Sequence, residues 1–136
     1  MGSSILLVDD SSDIRQLVGT ALEFAGYDVS TAEDGQKALD FFARTPKDRY
    51  PVVVVLDIMM PNVNGYGVLE GLSRIGYNGK VVIFSAVEKE DRTRLAGYPL
   101  VNAVIKKPSD IKTILDTIGG LIGESGDQDV PKDDAL

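Results

Sequence analysis

The stretch Val52-Val53-Val54-Val55-Leu56-Asp57-Ile58-Met59-Met60-Pro61 decides the fold. Its first five residues are apolar and mostly β-branched, long enough for a buried strand and too short for a typical helix. A strand apolar on both faces belongs inside a parallel sheet covered by helices on each side. The carboxylate of Asp57 then stands at the strand's carboxyl end, in the crevice where open α/β sheets bind ligands.

Outward from this run, strand and helix alternate. Ile5–Val8 reads as the first strand, and Ser11 or Ser12 caps a helix with Ile14, Leu17, Val18, Ala21, Leu22 and Ala25 on its apolar face. Gly26 stops that helix. Tyr27–Ala32 reads as the second strand, and Asp34-Gly35 opens a helix containing Ala38, Leu39, Phe41 and Phe42. Val52–Leu56 is the third strand; after Pro61 and Gly65 comes a helix with Val68, Leu69, Leu72 and Ile75. Val81–Phe84 and Val101–Ile105 supply the fourth and fifth strands. Between them, Glu88–Leu95 is almost entirely polar, so a helix there has a thin apolar face and is expected to be marginal. A last helix carries Ile111, Ile114, Leu115 and Ile118. The pattern predicts a doubly wound parallel α/β sheet with about five helices. Right-handed crossovers place every strand's carboxyl end on one edge.

Composition narrows the chemistry. A chain of 136 residues, 43% hydrophobic and 26% charged, is an ordinary single globular domain. We divide it into a folded domain over residues 1–122 and an acidic tail, 123–136, expected to be disordered. Cysteine and histidine are both absent, which excludes disulfides, thiolate or imidazole metal sites, Ser-His-Asp catalysis and a role as phosphohistidine donor. The net charge of −7 is a poor balance for a nucleic-acid binder, which needs a basic face to neutralise phosphates. No apolar run approaches membrane-spanning length and no export leader is visible, so a cytoplasmic location is expected.

Four strands end in polar residues: Asp9 and Asp10 after the first, Asp57 after the third, Ser85 after the fourth and Lys107 after the fifth. Taken singly, each has a plain structural explanation, such as acids at a helix start favoured by its dipole. Together, carboxylates at one edge repel unless a cation intervenes, and oxygen ligands without His or Cys suit Mg2+. A carboxylate is also a nucleophile toward phosphorus, with a lysine and a metal to offset the transferring charge.

With these residues in place, the chain resembles the response-regulator receiver domain of two-component signalling, in its stand-alone, chemotaxis-regulator-like form. The matching segments are Ile5-Leu6-Leu7-Val8-Asp9-Asp10, Ala32-Glu33-Asp34-Gly35, Val55-Leu56-Asp57-Ile58-Met59-Met60-Pro61 with Gly65, Ser85-Ala86, and Lys107-Pro108. The resemblance implies a flavodoxin-like fold with strand order 2-1-3-4-5. It implies that Asp57 is the phosphoacceptor, charged by a sensor histidine kinase or a histidine phosphotransfer protein. Mg2+ would be bound directly by Asp10, Asp57 and the backbone carbonyl of Met59, with Asp9 acting through water. Ser85, the backbone N–H of Ala86 and Lys107 would receive the phosphoryl group, and Lys107-Pro108 is a candidate cis peptide. Such a domain signals by protein–protein contacts to a downstream partner and is not an enzyme in the turnover sense. No DNA-binding module is recognisable in this sequence.

The sequence departs from the family pattern on one side. Val104 stands where receivers commonly carry an aromatic reporter, Ser109 replaces the bulky residue after Lys-Pro, and Pro99 interrupts any helix continuing from Arg94. Output is therefore expected to use another mode, through the 88–98 segment. Met59 and Val87, two residues beyond acceptor and switch hydroxyl, are both apolar, which predicts slow self-dephosphorylation. A receiver-like adaptor that acts without phosphorylation is the alternative. A small aspartate-nucleophile phosphatase is more remote, because Met59 occupies the place of the second aspartate such enzymes require.

Overall fold

Val53–Leu56 forms the central strand of a five-stranded sheet in the computed structural model, which describes residues 2–123. The tail from Glu124 onward lies outside the described residues. In chain order the elements are β1 (Ser4–Val8), α1 (Ser12–Phe24), β2 (Asp28–Ala32), α2 (Gly35–Arg44), a 3₁₀ turn (Lys47–Arg49) and β3 (Val53–Leu56). They continue with α3 (Gly65–Arg74), β4 (Lys80–Ser85), α4 (Lys89–Leu95), β5 (Val101–Lys106) and α5 (Ile111–Ile122). All strand pairings are parallel and the order is β2-β1-β3-β4-β5.

The strand alternation fills two cores. Leu6, Val8, Val54, Leu56, Val81 and Ile83 pack with Ala38, Leu69, Leu72 and Leu95 of α2, α3 and α4. Ile5, Leu7, Val53, Val55, Val82 and Phe84 pack with Val18, Leu22, Ile114 and Ile118 of α1 and α5. A strand buried on both faces needs no polar alternation, which is why β3 reads as a continuous apolar run.

Strand limits differ from the sequence reading by one residue: β1 and β4 start one residue earlier, β4 and β5 end one residue later, and β2 and β3 start one residue later. The N–H of Tyr27 donates to the Leu22 carbonyl at 3.1 Å, so this residue closes α1 and β2 begins at Asp28. Val52 precedes β3 and remains 41% exposed at the sheet rim. Ser11, not Ser12, caps α1, its hydroxyl accepting from the Ile14 N–H at 3.2 Å.

Helix α4 is short and buries only Leu95, as its polar sequence predicts. Contacts from α3 compensate. The Tyr66 hydroxyl donates to Asp91 Oδ1 at 2.8 Å, and Asp91 Oδ2 accepts the Glu88 N–H at 3.0 Å, satisfying a donor at the helix start. The Arg94 guanidinium lies 3.6 Å from the Tyr66 ring centroid, and Tyr98 donates to Glu70 at 3.1 Å. Burial and the Asp91 hydrogen bond push the Tyr66 hydroxyl pKa up to about 12, so it remains a donor at neutral pH. Tyr66→Phe removes one hydrogen bond to a charged acceptor, a loss of about 1.5–3 kcal/mol. Amide exchange across Glu88–Leu95 is expected to accelerate while the central strands keep their protection; unchanged α4 protection would show that Tyr66 does not hold this helix.

Candidate functional site

Parallel pairing carries the four polar strand ends to one edge. Val8 is in register with Leu56, and Leu56 with Ile83, so the residues that follow β1 and β3 emerge side by side. Backbone bonds extend the ladder past the strands: Asp9 N–H to Ala32 O at 3.1 Å, Asp57 N–H to Val8 O at 3.0 Å and Lys107 N–H to Ser85 O at 2.8 Å. Gly65 permits the Asp57 loop to turn tightly, its N–H donating to Ile58 O at 2.9 Å. A Cβ there would lie 2.7 Å from the Asp57 carbonyl oxygen, closer than side chains tolerate.

Asp9, Asp57 and Ser85 are buried, while Asp10 is exposed at the crevice mouth. One carboxylate oxygen from each of Asp9, Asp10 and Asp57 falls within 4.8 Å of the others. Ser85 Oγ donates to Asp57 Oδ1 at 2.5 Å and accepts from the Ile58 N–H at 3.2 Å. The Met59 N–H donates to the same Asp57 oxygen at 3.3 Å. Lys107 Nζ reaches Asp9 Oδ2 at 2.8 Å and Asp57 Oδ2 at 3.6 Å. Asp9 is held from every side: Oδ1 accepts from the Ser11 N–H at 3.0 Å, Oδ2 binds Lys107, and its carbonyl accepts from Arg15 Nη1 at 2.8 Å.

Burial raises the pKa of the Asp57 carboxyl above the ordinary carboxylate value. The Ser85 and Met59 hydrogen bonds and the Lys107 ammonium oppose that rise, while the neighbouring Asp9 charge adds to it. Three carboxylates against one ammonium leave an excess of negative charge in a low-dielectric crevice. The donor set is all oxygen, contains no His or Cys, and brings three carboxylates within ligating distance. That fits a hard divalent cation, and Mg2+ in particular, which takes one or two carboxylates and keeps waters.

The remaining sequence candidates fall around this edge. Met59 is 66% exposed and lines a shallow cleft with Asp10, Ile58, Pro61 and Asn64. Ala86 is exposed immediately after Ser85, and the Lys107-Pro108 peptide is cis. Val87, expected to flank the site with Met59, is instead buried in the core with Leu95. Val104 and Ser109 are half-buried; Val104 packs beside Leu95 and Tyr98 against α4. The sequence reading missed Arg15 and the Tyr66–Asp91 tie. Both link residues far apart in sequence or through a main-chain atom, and a side-chain motif records neither.

Residues 5–119 match the family described as the response regulator receiver domain. Over 133 residues the chain is 31% identical to response regulator MprA of Mycobacterium sp. (strain KMS), covering 97% of this chain and 56% of that protein. Over 70 residues it is 46% identical to the "Probable transcriptional regulator ycf27" of Porphyridium aerugineum, covering 52% of this chain and 28% of that protein. The chain therefore spans from about a quarter to about half the length of these relatives. Chemotaxis protein CheY4 of Vibrio cholerae superposes with a TM-score of 0.78 at 26% identity, covering 89% of this chain and 99% of that one. Response regulator TrrA of Thermotoga maritima, in complex with Mg2+ and BeF, superposes with a TM-score of 0.74 at 28% identity, covering 88% and 98%. The observed strand order is the flavodoxin-like one. By fold, by site geometry and by match over almost the whole described chain, this protein belongs to the response regulator receiver domain family, the phosphorylatable signalling modules of two-component systems.

Proposed function

We propose that Asp57 accepts a phosphoryl group from the phosphohistidine of a sensor histidine kinase or a histidine phosphotransfer protein. The observation that carries this reading is the convergence on Asp57 of a hydroxyl donor, an ammonium and two further carboxylates at the sheet's carboxyl edge. A carboxylate oxygen of Asp57 attacks phosphorus, the P–N bond breaks, and its electron pair leaves with the imidazole nitrogen. Asp10, Asp57 and the Met59 carbonyl would hold Mg2+ directly. Asp9, whose carboxylate oxygens are both already engaged, contributes through water. Bound there, Mg2+ supplies charge that offsets the phosphoryl oxygens. Ser85, the Ala86 N–H and Lys107 then receive those oxygens.

The domain signals by contacts with a downstream protein and works in the cytoplasm; among the described residues no helix is long and apolar enough to cross a membrane. Output runs through α4, because only Ala86 and Val87 separate Ser85 from Glu88, whose N–H bonds Asp91 at the helix start. A shift of the Ser85 hydroxyl toward a phosphoryl oxygen pulls directly on that end. Turnover of phosphate esters is not expected, since exposed Met59 offers no second carboxylate two residues beyond the acceptor.

Three measurements test this reading. Incubation with acetyl phosphate and Mg2+ is expected to give one phosphoryl adduct in the intact mass, absent without Mg2+ and absent in Asp57→Asn. A chain that neither binds Mg2+ nor gains the adduct is an adaptor acting without phosphorylation. The adduct is expected to be long-lived, because exposed Met59 cannot orient an attacking water. Met59→Asn should shorten its half-life severalfold; an unaltered half-life refutes that account.

The third measurement is pH dependence without metal. Because the folded-state pKa of Asp57 is raised, its ionised form disfavours folding, and the penalty vanishes once the group is protonated in both states. Asp57→Asn should therefore melt above wild type at pH 7. The gap should close as pH falls through the raised folded-state pKa toward the unfolded value of about 3.9. A gap that widens in acid contradicts a raised pKa.

A further inference from the structure

We infer that Arg15 is a positioning residue for the cation site, acting through the Asp9–Asp10 peptide; the inference rests on the Mg2+-dependent receiver reading above. Asp10 is the one exposed member of the carboxylate group, and among the described residues its side chain makes no hydrogen bond or ion pair. Asp9 and Asp57, by contrast, are locked by Ser11, Lys107, Ser85 and Met59. The direction in which the Asp10 carboxylate leaves the chain is therefore set by its backbone. The peptide plane before Asp10 is that of the Asp9 carbonyl, and Arg15 Nη1 donates to this oxygen at 2.8 Å. Rotation of that plane turns the Asp10 Cα–Cβ bond away from Asp57.

Arg15 is suited to hold it. The residue sits at the first hydrogen-bonded turn of α1, its own N–H donating to Ser11 O at 3.0 Å, beside the cap that Ser11 Oγ makes to the Ile14 N–H. Its half-buried side chain thus reaches back from a fixed base rather than from a loop. The guanidinium spans from the start of α1 to the end of β1, and ties the ligand-bearing loop between them to the helix.

Charge and geometry make opposite demands on this residue, which gives the test its sign. As a nearby positive charge, Arg15 opposes Mg2+ binding, so its removal by Coulomb effects alone tightens the site. As a positioning group, its removal loosens the site, in the range of about 10–100-fold seen when partners that orient metal ligands are lost. Mg2+ titrated calorimetrically into the full chain, with no phosphodonor, reads the difference. Arg15→Met keeps most of the stem without the donor or the charge, and is expected to weaken Mg2+ binding by about tenfold. Arg15→Lys keeps the charge and one flexible donor, and should fall between Met and wild type. Apo melting curves show whether either variant is unfolded. If Met is unfolded, Lys still decides: affinity equal to or tighter than wild type overturns the inference, and a weaker site with an intact fold supports it. Equal or tighter Mg2+ binding in Arg15→Met also overturns the inference and leaves the receiver reading standing. A wild-type chain that binds no Mg2+ overturns both.

Discussion

The structure turns on an excess of negative charge held at the carboxyl edge of the sheet. Asp9 and Asp57 are buried within ligating distance of each other, and among the described residues only Lys107 forms an ion pair with them, 2.8 Å from one and 3.6 Å from the other. Buried like charges are costly, and one ammonium does not neutralise two carboxylates with a third at the mouth. The fold tolerates this because the two cores on either face of the sheet are built almost wholly from buried apolar side chains. What destabilises the resting site is the charge that a bound cation would offset. In this sense the stability of the strands supports the strain of their ends.

The sheet was legible because each strand is a short apolar run and each run stops at a polar residue. The two-sided burial of Val53–Leu56 follows directly from its lack of alternation. The site was legible because parallel topology turns strand ends into neighbours, so Asp9, Asp57, Ser85 and Lys107 meet although up to 98 residues separate them. Boundaries were less legible: Tyr27 has the composition of a strand residue, yet its N–H completes the end of α1. Burial of Val87 was also hidden, since an apolar residue in a loop carries no sign of the face it turns to. Arg15 escaped because its partner is a carbonyl oxygen, which every residue possesses.

Helix α4 shows how tertiary contacts replace what local sequence lacks. With one buried residue it has almost no hydrophobic anchor, and its stability comes from Tyr66, Arg94 and the Asp91 bond to the Glu88 N–H. Two tyrosines, Tyr66 and Tyr98, lie with ring centroids 6.2 Å apart on the side where Val104 leaves β5 without an aromatic. Aromatic mass on this face thus comes from α3 and from the turn before β5 rather than from β5 itself.

The hydrogen bond between Ser85 Oγ and Asp57 Oδ1 joins these two regions. At 2.5 Å it is a short charge-assisted contact, and it depends on the carboxylate keeping its charge. On the proposed reading, phosphorylation of Asp57 would convert the carboxylate to an acyl phosphate and place the charge on phosphoryl oxygens farther out in the crevice. The Ser85 hydroxyl would then have a phosphoryl acceptor in a different direction, and two residues, Ala86 and buried Val87, separate it from the first donor of α4. Beyond that donor stand one buried side chain, Leu95, and contacts from a single tyrosine and a single arginine. On the proposed reading, a displacement at the buried end of β4 would pass to the α-helix with the fewest buried side chains.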